Sequence, residues 1–231
     1  MSNMILVIGE SGSGKSHSLR NLNHEETFIF STHKDKLPFK GARKKYTIKS
    51  DSNPKGNVIV TQDFSFIKKG LKAINDESKY DHISNVVIDD FQNLMINDLV
   101  TKSSRKDWDK WNELVKEVWE LIKLASYMRP DLNIIILSHA TKNDDGFMRM
   151  KTVGKMLDDK IYVEGLFDVV ALASYDKNYK FVLRGKGTST AKFPDDMKKE
   201  YQLPDEIDND VSLLLRSLEA YSNDLEEDIK Q

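Results

Sequence analysis

Short, mostly apolar runs punctuate the first two thirds of the chain: Met4 to Ile8, Thr27 to Ser31, Asn57 to Thr61, Asn85 to Ile88 and Asn133 to Leu137. Each is too short for a helix, and the continuous runs read as strands buried on both faces. Between them lie segments with apolar residues at steps of three and four, notably Ser65 to Asn75 and Lys106 to Met128. These predict helices. The alternation implies an α/β fold, a mostly parallel sheet with helices on both faces.

The long helical segment carries Trp108, Trp111, Val115, Val118, Trp119 and Ile122 on one stripe, with Pro130 as its stop. Helical spacing puts the three tryptophans in the core, in preference to a base-stacking platform at Trp108 and Trp111. Later, the β-prone runs Val169 to Ser174 and Tyr179 to Arg184 flank Asp176-Lys177-Asn178, which predicts a hairpin that extends or edges the sheet. From Asp205 the composition turns acidic, with one amphipathic helix, Val211 to Tyr221, capped by Asp210. The expected division is a main domain over residues 1–207 and a C-terminal helix with an acidic, mobile tail over 208–231.

With 231 residues and 39% apolar composition, the chain suits one α/β core. Its 35 Lys plus Arg nearly balance 37 Asp plus Glu, so any polyanion must be held by a local patch. Cysteine is absent, which excludes disulfides, thiolate metal sites and a cysteine nucleophile. No apolar run reaches the length of a membrane span, and a strand begins almost at once, so the expectation is a cytoplasmic protein with no membrane partner.

Candidate chemistry begins directly after the first strand. In Gly9-Glu10-Ser11-Gly12-Ser13-Gly14-Lys15-Ser16 the glycines let successive backbone N–H groups face inward as an anion nest, and the helix expected over Lys15 to Asn23 adds its dipole. A flexible glycine loop would share the composition but not the strand in front and the helix behind. Residues Gly9 to Ser16, with His17 after them, are therefore expected to hold ATP. The Lys15 ammonium is suited to the β- and γ-phosphates and the Ser16 hydroxyl to Mg²⁺.

The run Asn85 to Ile88 ends in Asp89-Asp90. That places Asp89 at the C-terminal edge of the sheet, where open α/β folds bind ligands, and makes it the expected partner of Mg²⁺ through water. Asp90 is a candidate to orient or deprotonate the attacking water. Strand alternation argues for a capping or ion-pairing role instead, and Asp63, after another strand, competes for the task. His139 follows four apolar residues and Ser138, at the same edge, where it is placed to sense the γ-phosphate.

GESGSGKS, KDKLPFKG, VVIDDFQNLM, ILSHA, KTVGKMLDDKIYVEGLF and GTSTAKFPDDM, in that order, resemble the phage AAA-type ATP-binding proteins, compact RecA-like ATPases related to the Sak single-strand annealing proteins. The similarity runs from about Met4 to Ile207. It implies a RecA-like P-loop core, ATP and Mg²⁺ carried by Lys15, Ser16 and Asp89, and His139 coupling the γ-phosphate to the loop after it. It further implies an ATPase acting on single-stranded DNA in phage recombination or replication within a bacterial host, with a phage or host single-strand binding protein as a partner. One departure stands out: recombinases place a glutamate after the second strand, whereas here Thr32-His33-Lys34 follows and no acid appears until Asp35. A small P-loop kinase and a nucleotide-gated loader with little hydrolysis are the alternatives.

In RecA-like proteins two loops face DNA, which here correspond to Asn97 to Asp107, with Lys102, Arg105 and Lys106, and Thr141 to Lys160, with Phe147, Arg149, Lys151 and Lys155. The run Lys34 to Lys49 is also basic, with Phe39 and Tyr46 interleaved; a solvated surface explains it equally well. Nucleotide sites of this kind usually lie between subunits, so a homo-oligomeric ring or filament is expected, with Arg184, Lys186 or Lys192 acting on a neighbour's phosphates.

Overall fold

The computed structural model describes residues 1–33, 37–104, 109–153, 157, 160–195 and 199–229, with side chains to residue 223. Arg105, Lys106, Trp108 and Lys155 of the sequence reading, with Lys34 and Lys36 of the basic run and Asp35, lie outside the described residues.

Nine strands form one sheet among the described residues: β1 (Asn3–Gly9), β2 (Thr27–Ser31), β3 (Val58–Val60), β4 (Asn85–Asp89), β5 (Asn133–Lys142), β6 (Met148–Met150), β7 (Val169–Tyr175), β8 (Tyr179–Val182) and β9 (Glu206–Asp208). Their order is β3-β2-β4-β5-β1-β7-β8-β9, with β6 pairing β5. The pairings from β3 to β7 are parallel, and β8, β9 and β6 are antiparallel additions. The register sets Gly9 of β1 beside His139 of β5 on one flank and Ala173 of β7 on the other. Thus β5 lies between the strand before the glycine-rich loop and the strand ending in Asp89.

The central strands are apolar throughout because both faces are covered. Met4, Leu6 and Ile8 join Phe28, Phe30, Val86, Ile88, Ile134 and Ile136 in one core. Ile5 and Val7 join Ile29, Val87, Ile135 and Leu137 in the other. Full burial of each such side chain contributes about 1.5–3 kcal/mol. The first core is closed by three helices, α2 (Phe64–Asp76), α3 (Phe91–Thr101) and α4 (Asp109–Ser126). The second is closed by Leu19 and Leu22 after the loop and by α5 (Val211–Ile229), which contributes Val211, Leu214 and Leu218. A four-residue helix, α1 (Ala42–Lys45), precedes β3.

Local chemistry explains the helix starts. Asp63 accepts hydrogen bonds from the N–H groups of Ser65 (2.7 Å) and Phe66 (3.2 Å), an N-cap for α2. Asp210 accepts from the N–H of Ser212 at 2.9 Å and opens α5.

Several elements differ from the sequence reading. The helix expected after the glycine-rich loop is a 3-10 helix, Ser16–Asn21. Residues 97–101, read as loop, complete α3, and β9 adds a strand to the acidic region. In α4 the buried stripe is Leu114, Val118, Leu121, Ile122 and Ala125. Trp119 stands one step off it, 41% exposed, with the Lys123 ammonium 5.5 Å from its ring. Trp119 therefore lies outside the core and Trp111 is half-buried: Leu114, Val118, Leu121, Ile122 and Ala125 are what α4 buries there.

Candidate nucleotide site

Gly9 is the last residue of β1, and a Cβ there would lie 2.6 Å from the carbonyl oxygen of Ala173. Only glycine lets the loop leave the sheet so close to β7. Gly14 has φ 96°, a left-handed conformation, and a Cβ on it would meet the Tyr179 ring at 2.8 Å. Between them Glu10, Ser11 and Gly12 are exposed, while Ser13 is buried. The Lys15 ammonium is buried beneath the loop and donates to the carbonyls of Gly9 and Glu10, each at 2.9 Å. The loop thus holds its lysine on backbone oxygens at the mouth of the turn.

Ser16 and Asp89 come from separate elements and meet. The Ser16 hydroxyl donates to the Asp89 carboxylate at 3.1 Å (Oδ1) and 3.2 Å (Oδ2), and Asp89 is 4% exposed. A hydroxyl beside a carboxylate is an all-oxygen donor set suited to a hard divalent cation. This fits Mg²⁺.

The strand ends at Asp89, and Asp90 then adopts a left-handed turn (φ 64°, ψ 49°) before α3. For a residue other than glycine this costs on the order of 1 kcal/mol. Thr32 stabilises the turn: its hydroxyl reaches the carbonyls of Asp89 (3.1 Å) and Asp90 (2.6 Å). As a result Asp90 escapes the opposite-face constraint of strand alternation. Its Oδ2 accepts from Asn93 Nδ2 at 2.9 Å, while Oδ1 is buried and stands 3.3 Å from His139 Nε2, within reach of that ring. Burial, and then the Lys15 charge, hold the His139 imidazole below its ordinary pKa, against an upward pull from Asp90. Near neutral pH His139 is uncharged. Asp63 is taken up as the α2 cap.

These groups line a cleft of about 530 Å³ that also includes His17, His33, Pro38 and Tyr179. His17 stacks on Tyr179, with ring centres 5.6 Å apart and planes 30° from parallel. Tyr179, Asn93 and Thr32 were not singled out from sequence. For Tyr179 a signal existed: a hairpin whose first strand runs parallel to β1 must turn at the phosphate edge.

The other sequence candidates fare differently. Phe39 and Tyr46 pack edge to face at 6.0 Å, and Tyr46 is buried, its hydroxyl pushed up to about 12 by that burial. Neither ring is presented as a stacking platform. Lys102 pairs with Asp98 at 2.8 Å and Glu113 at 3.2 Å. Lys151 is exposed, and its backbone N–H donates to the His139 carbonyl at 2.7 Å. Arg184 pairs with Asp195 (2.6 Å) and Asp205 (3.5 Å), and Lys186 with Asp205, so both cations are engaged within the chain.

A glycine-rich loop after β1, a lysine beneath it, and a serine facing the strand-end aspartate across an inserted strand define a P-loop NTPase. The chain belongs to the AAA domain family, whose model matches residues 1–193. No curated protein matches it in sequence. Among solved structures it is similar to a DnaB-like replicative helicase described with its interactions with primase (16% identity, TM-score 0.49, 84% of this chain and 52% of that one). It is also similar to the genome packaging NTPase B204 of Sulfolobus turreted icosahedral virus 2, solved with sulfate (16% identity, TM-score 0.39, 76% of each chain). The chain spans about half the length of the helicase it matches. The fold is that of an α/β P-loop NTPase with a mostly parallel sheet, as the AAA domain family implies. Among the described residues no helix is long and apolar enough to cross a membrane.

Proposed function

We propose that this protein hydrolyses Mg·ATP and couples the reaction to single-stranded DNA in recombination or replication, as the Sak-related phage ATPases it resembles would. The observation that carries the reading is the contact of Ser16 with Asp89 in the cleft that Lys15 also lines, with the Asp90 carboxylate beside His139 at the same edge. Lys15 leaves its two backbone carbonyls for the β- and γ-phosphates. Ser16 and Asp89 hold Mg²⁺, which when bound supplies positive charge against the developing charge on the phosphates. Asp90 Oδ1, which faces His139 Nε2, accepts a proton from the attacking water. Asn93 fixes the other oxygen and so the aim of the carboxylate. Neutral His139 reports the γ-phosphate to the segment it touches through Lys151, where Arg149 and Lys151 offer cations to a DNA strand.

Among the described residues lining the cleft, Lys15 alone carries a permanent positive charge. That supports a homo-oligomer, a ring or filament in which a neighbour completes the phosphate site. ATPase activity measured with and without single-stranded DNA tests the reading: stimulation is expected. Phosphate transfer to a small acceptor would replace it with a kinase, and ATP binding without turnover with a nucleotide-gated loader.

A further inference from the structure

A second cavity, of about 580 Å³, opens at the edge of the sheet opposite the nucleotide site. Its walls come from the segments leading into three neighbouring parallel strands, with His24 ahead of β2, Asn57 ahead of β3 and His82 ahead of β4. Asp89 lies at the other end of β4, the same edge at which the P-loop follows β1. A five-residue strand separates the two edges by about 15 Å.

The charge of this cavity departs from that of the chain. Lys45, Lys49, Lys55 and Lys79 line it against one carboxylate, Glu25, whereas over the whole chain 35 basic residues face 37 acidic ones. Lys45, Lys55 and Lys79 are exposed, and Lys79 also pairs with Glu77 at 2.5 Å. In the same wall is the half-buried Tyr80, its ring braced edge to face by Phe28 at 6.1 Å. The Lys79 and Lys49 ammoniums lie 5.1 and 5.9 Å from the Tyr80 ring centre. Cations grouped around a fixed aromatic ring suit a ligand that alternates phosphates with planar bases. A free phosphate has no use for the ring.

We propose that this cavity binds a single nucleic-acid strand, as a contact distinct from the ATP edge: phosphates on Lys45, Lys49, Lys55 and Lys79 draw the Lys49 and Lys79 ammoniums off the Tyr80 ring, and a base takes the face they leave. The proposal rests on the single-strand reading above and adds to it a second contact, apart from Arg149 and Lys151. Strand binding here leaves the nucleotide cleft open, so ATP and DNA bind together without competing for space.

The test is fluorescence anisotropy with a labelled oligothymidylate on the full chain and on Lys45→Gln/Lys55→Gln, two exposed positions whose neutralisation spares the core. The double variant is expected to bind about tenfold more weakly, with a slope of log affinity against log salt flatter by about 1.4, from two lost phosphate contacts on a single strand. Binding of a fluorescent ATP analogue stays unchanged. Tyr80→Leu, with both lysines intact, is expected to weaken binding while keeping the salt slope. Wild-type affinity and slope in the lysine variant overturn this site but leave the single-strand reading standing. Absence of binding by the wild-type chain overturns both. Competition by thymidine monophosphate or inorganic phosphate as effective as that of the oligonucleotide, at equal phosphate concentration, overturns the strand as ligand.

Discussion

The carboxylate of Asp90 stands 3.3 Å from Nε2 of His139 across two adjacent strands, a contact made by the left-handed turn at Asp90. An extended residue at this position would point away from the cleft. Thr32, the first residue after β2, holds the turn through two carbonyls. A hydroxyl just after the second strand thus positions a carboxylate just after the fourth.

Lys15→Ala and Asp89→Asn are each expected to lower ATP turnover by about a hundredfold or more, because each removes charge that acts on phosphates or metal in a water-poor site. Circular dichroism should show the fold retained, since neither side chain belongs to the apolar cores. Wild-type hydrolysis in either variant, measured by phosphate release, would remove the site assignment.

His139 makes stability depend on pH. Its folded pKa is lowered from 6.5, so below that value the unfolded chain binds the proton more readily than the folded one. Stability therefore falls as pH drops through 6.5 and levels off below the folded pKa. His139→Asn should flatten the urea midpoint between pH 7 and pH 5 relative to wild type. Parallel curves for the two proteins would contradict the assignment of a neutral imidazole.

Tyr179 is 43% exposed and lines the cleft beside His17. If it stacks on the nucleotide base, Tyr179→Ala loses at least about 1 kcal/mol of binding, or roughly fivefold in KM for ATP. The value of kcat should hardly change, because the ring does not touch the reacting phosphate. Stacking is tolerant of base identity, so KM for GTP should rise in parallel. An unchanged KM for both nucleotides defeats the stacking role.

How much of this was legible in the sequence depended on whether the signal was local. The five core strands and the P-loop could be read because a buried parallel strand and an anion nest are written in consecutive residues. The Ser16–Asp89 pairing followed from strand ends sharing one edge. Asp90 was ambiguous because its backbone turn is imposed by Thr32, 58 residues away. Trp119 falls outside the core because steps of three and four leave the stripe uncertain by one residue, and the face that α4 buries carries Leu114, Val118, Leu121, Ile122 and Ala125. The in-chain pairing of Arg184 and Lys186 was hidden for a similar reason: their acids, Asp195 and Asp205, lie across a loop whose path no local pattern specifies.

Gly70 sets two local rules against each other. It lies inside α2, where alanine is favoured over glycine by about 0.8–1 kcal/mol. A Cβ at this position, however, would stand 2.6 Å from Cζ and 2.8 Å from Cε1 of Phe30. Phe30 is fully buried and already packs on Phe28 at 5.2 Å, so its ring has no open space into which to move. Overpacking of this kind costs typically about 1–3 kcal/mol, which exceeds the helix gain in most of that range. Gly70→Ala is therefore expected to destabilise the protein by about 1 kcal/mol in urea unfolding. Shortening the opposing side chain should relieve the clash, so Gly70→Ala in a Phe30→Leu background should be neutral or stabilising, a coupling of about 1 kcal/mol or more between the two sites. A higher urea midpoint for the single variant would show that α2 shifts freely over β2, and that this face of the core is looser than the contact between Gly70 and Phe30 implies.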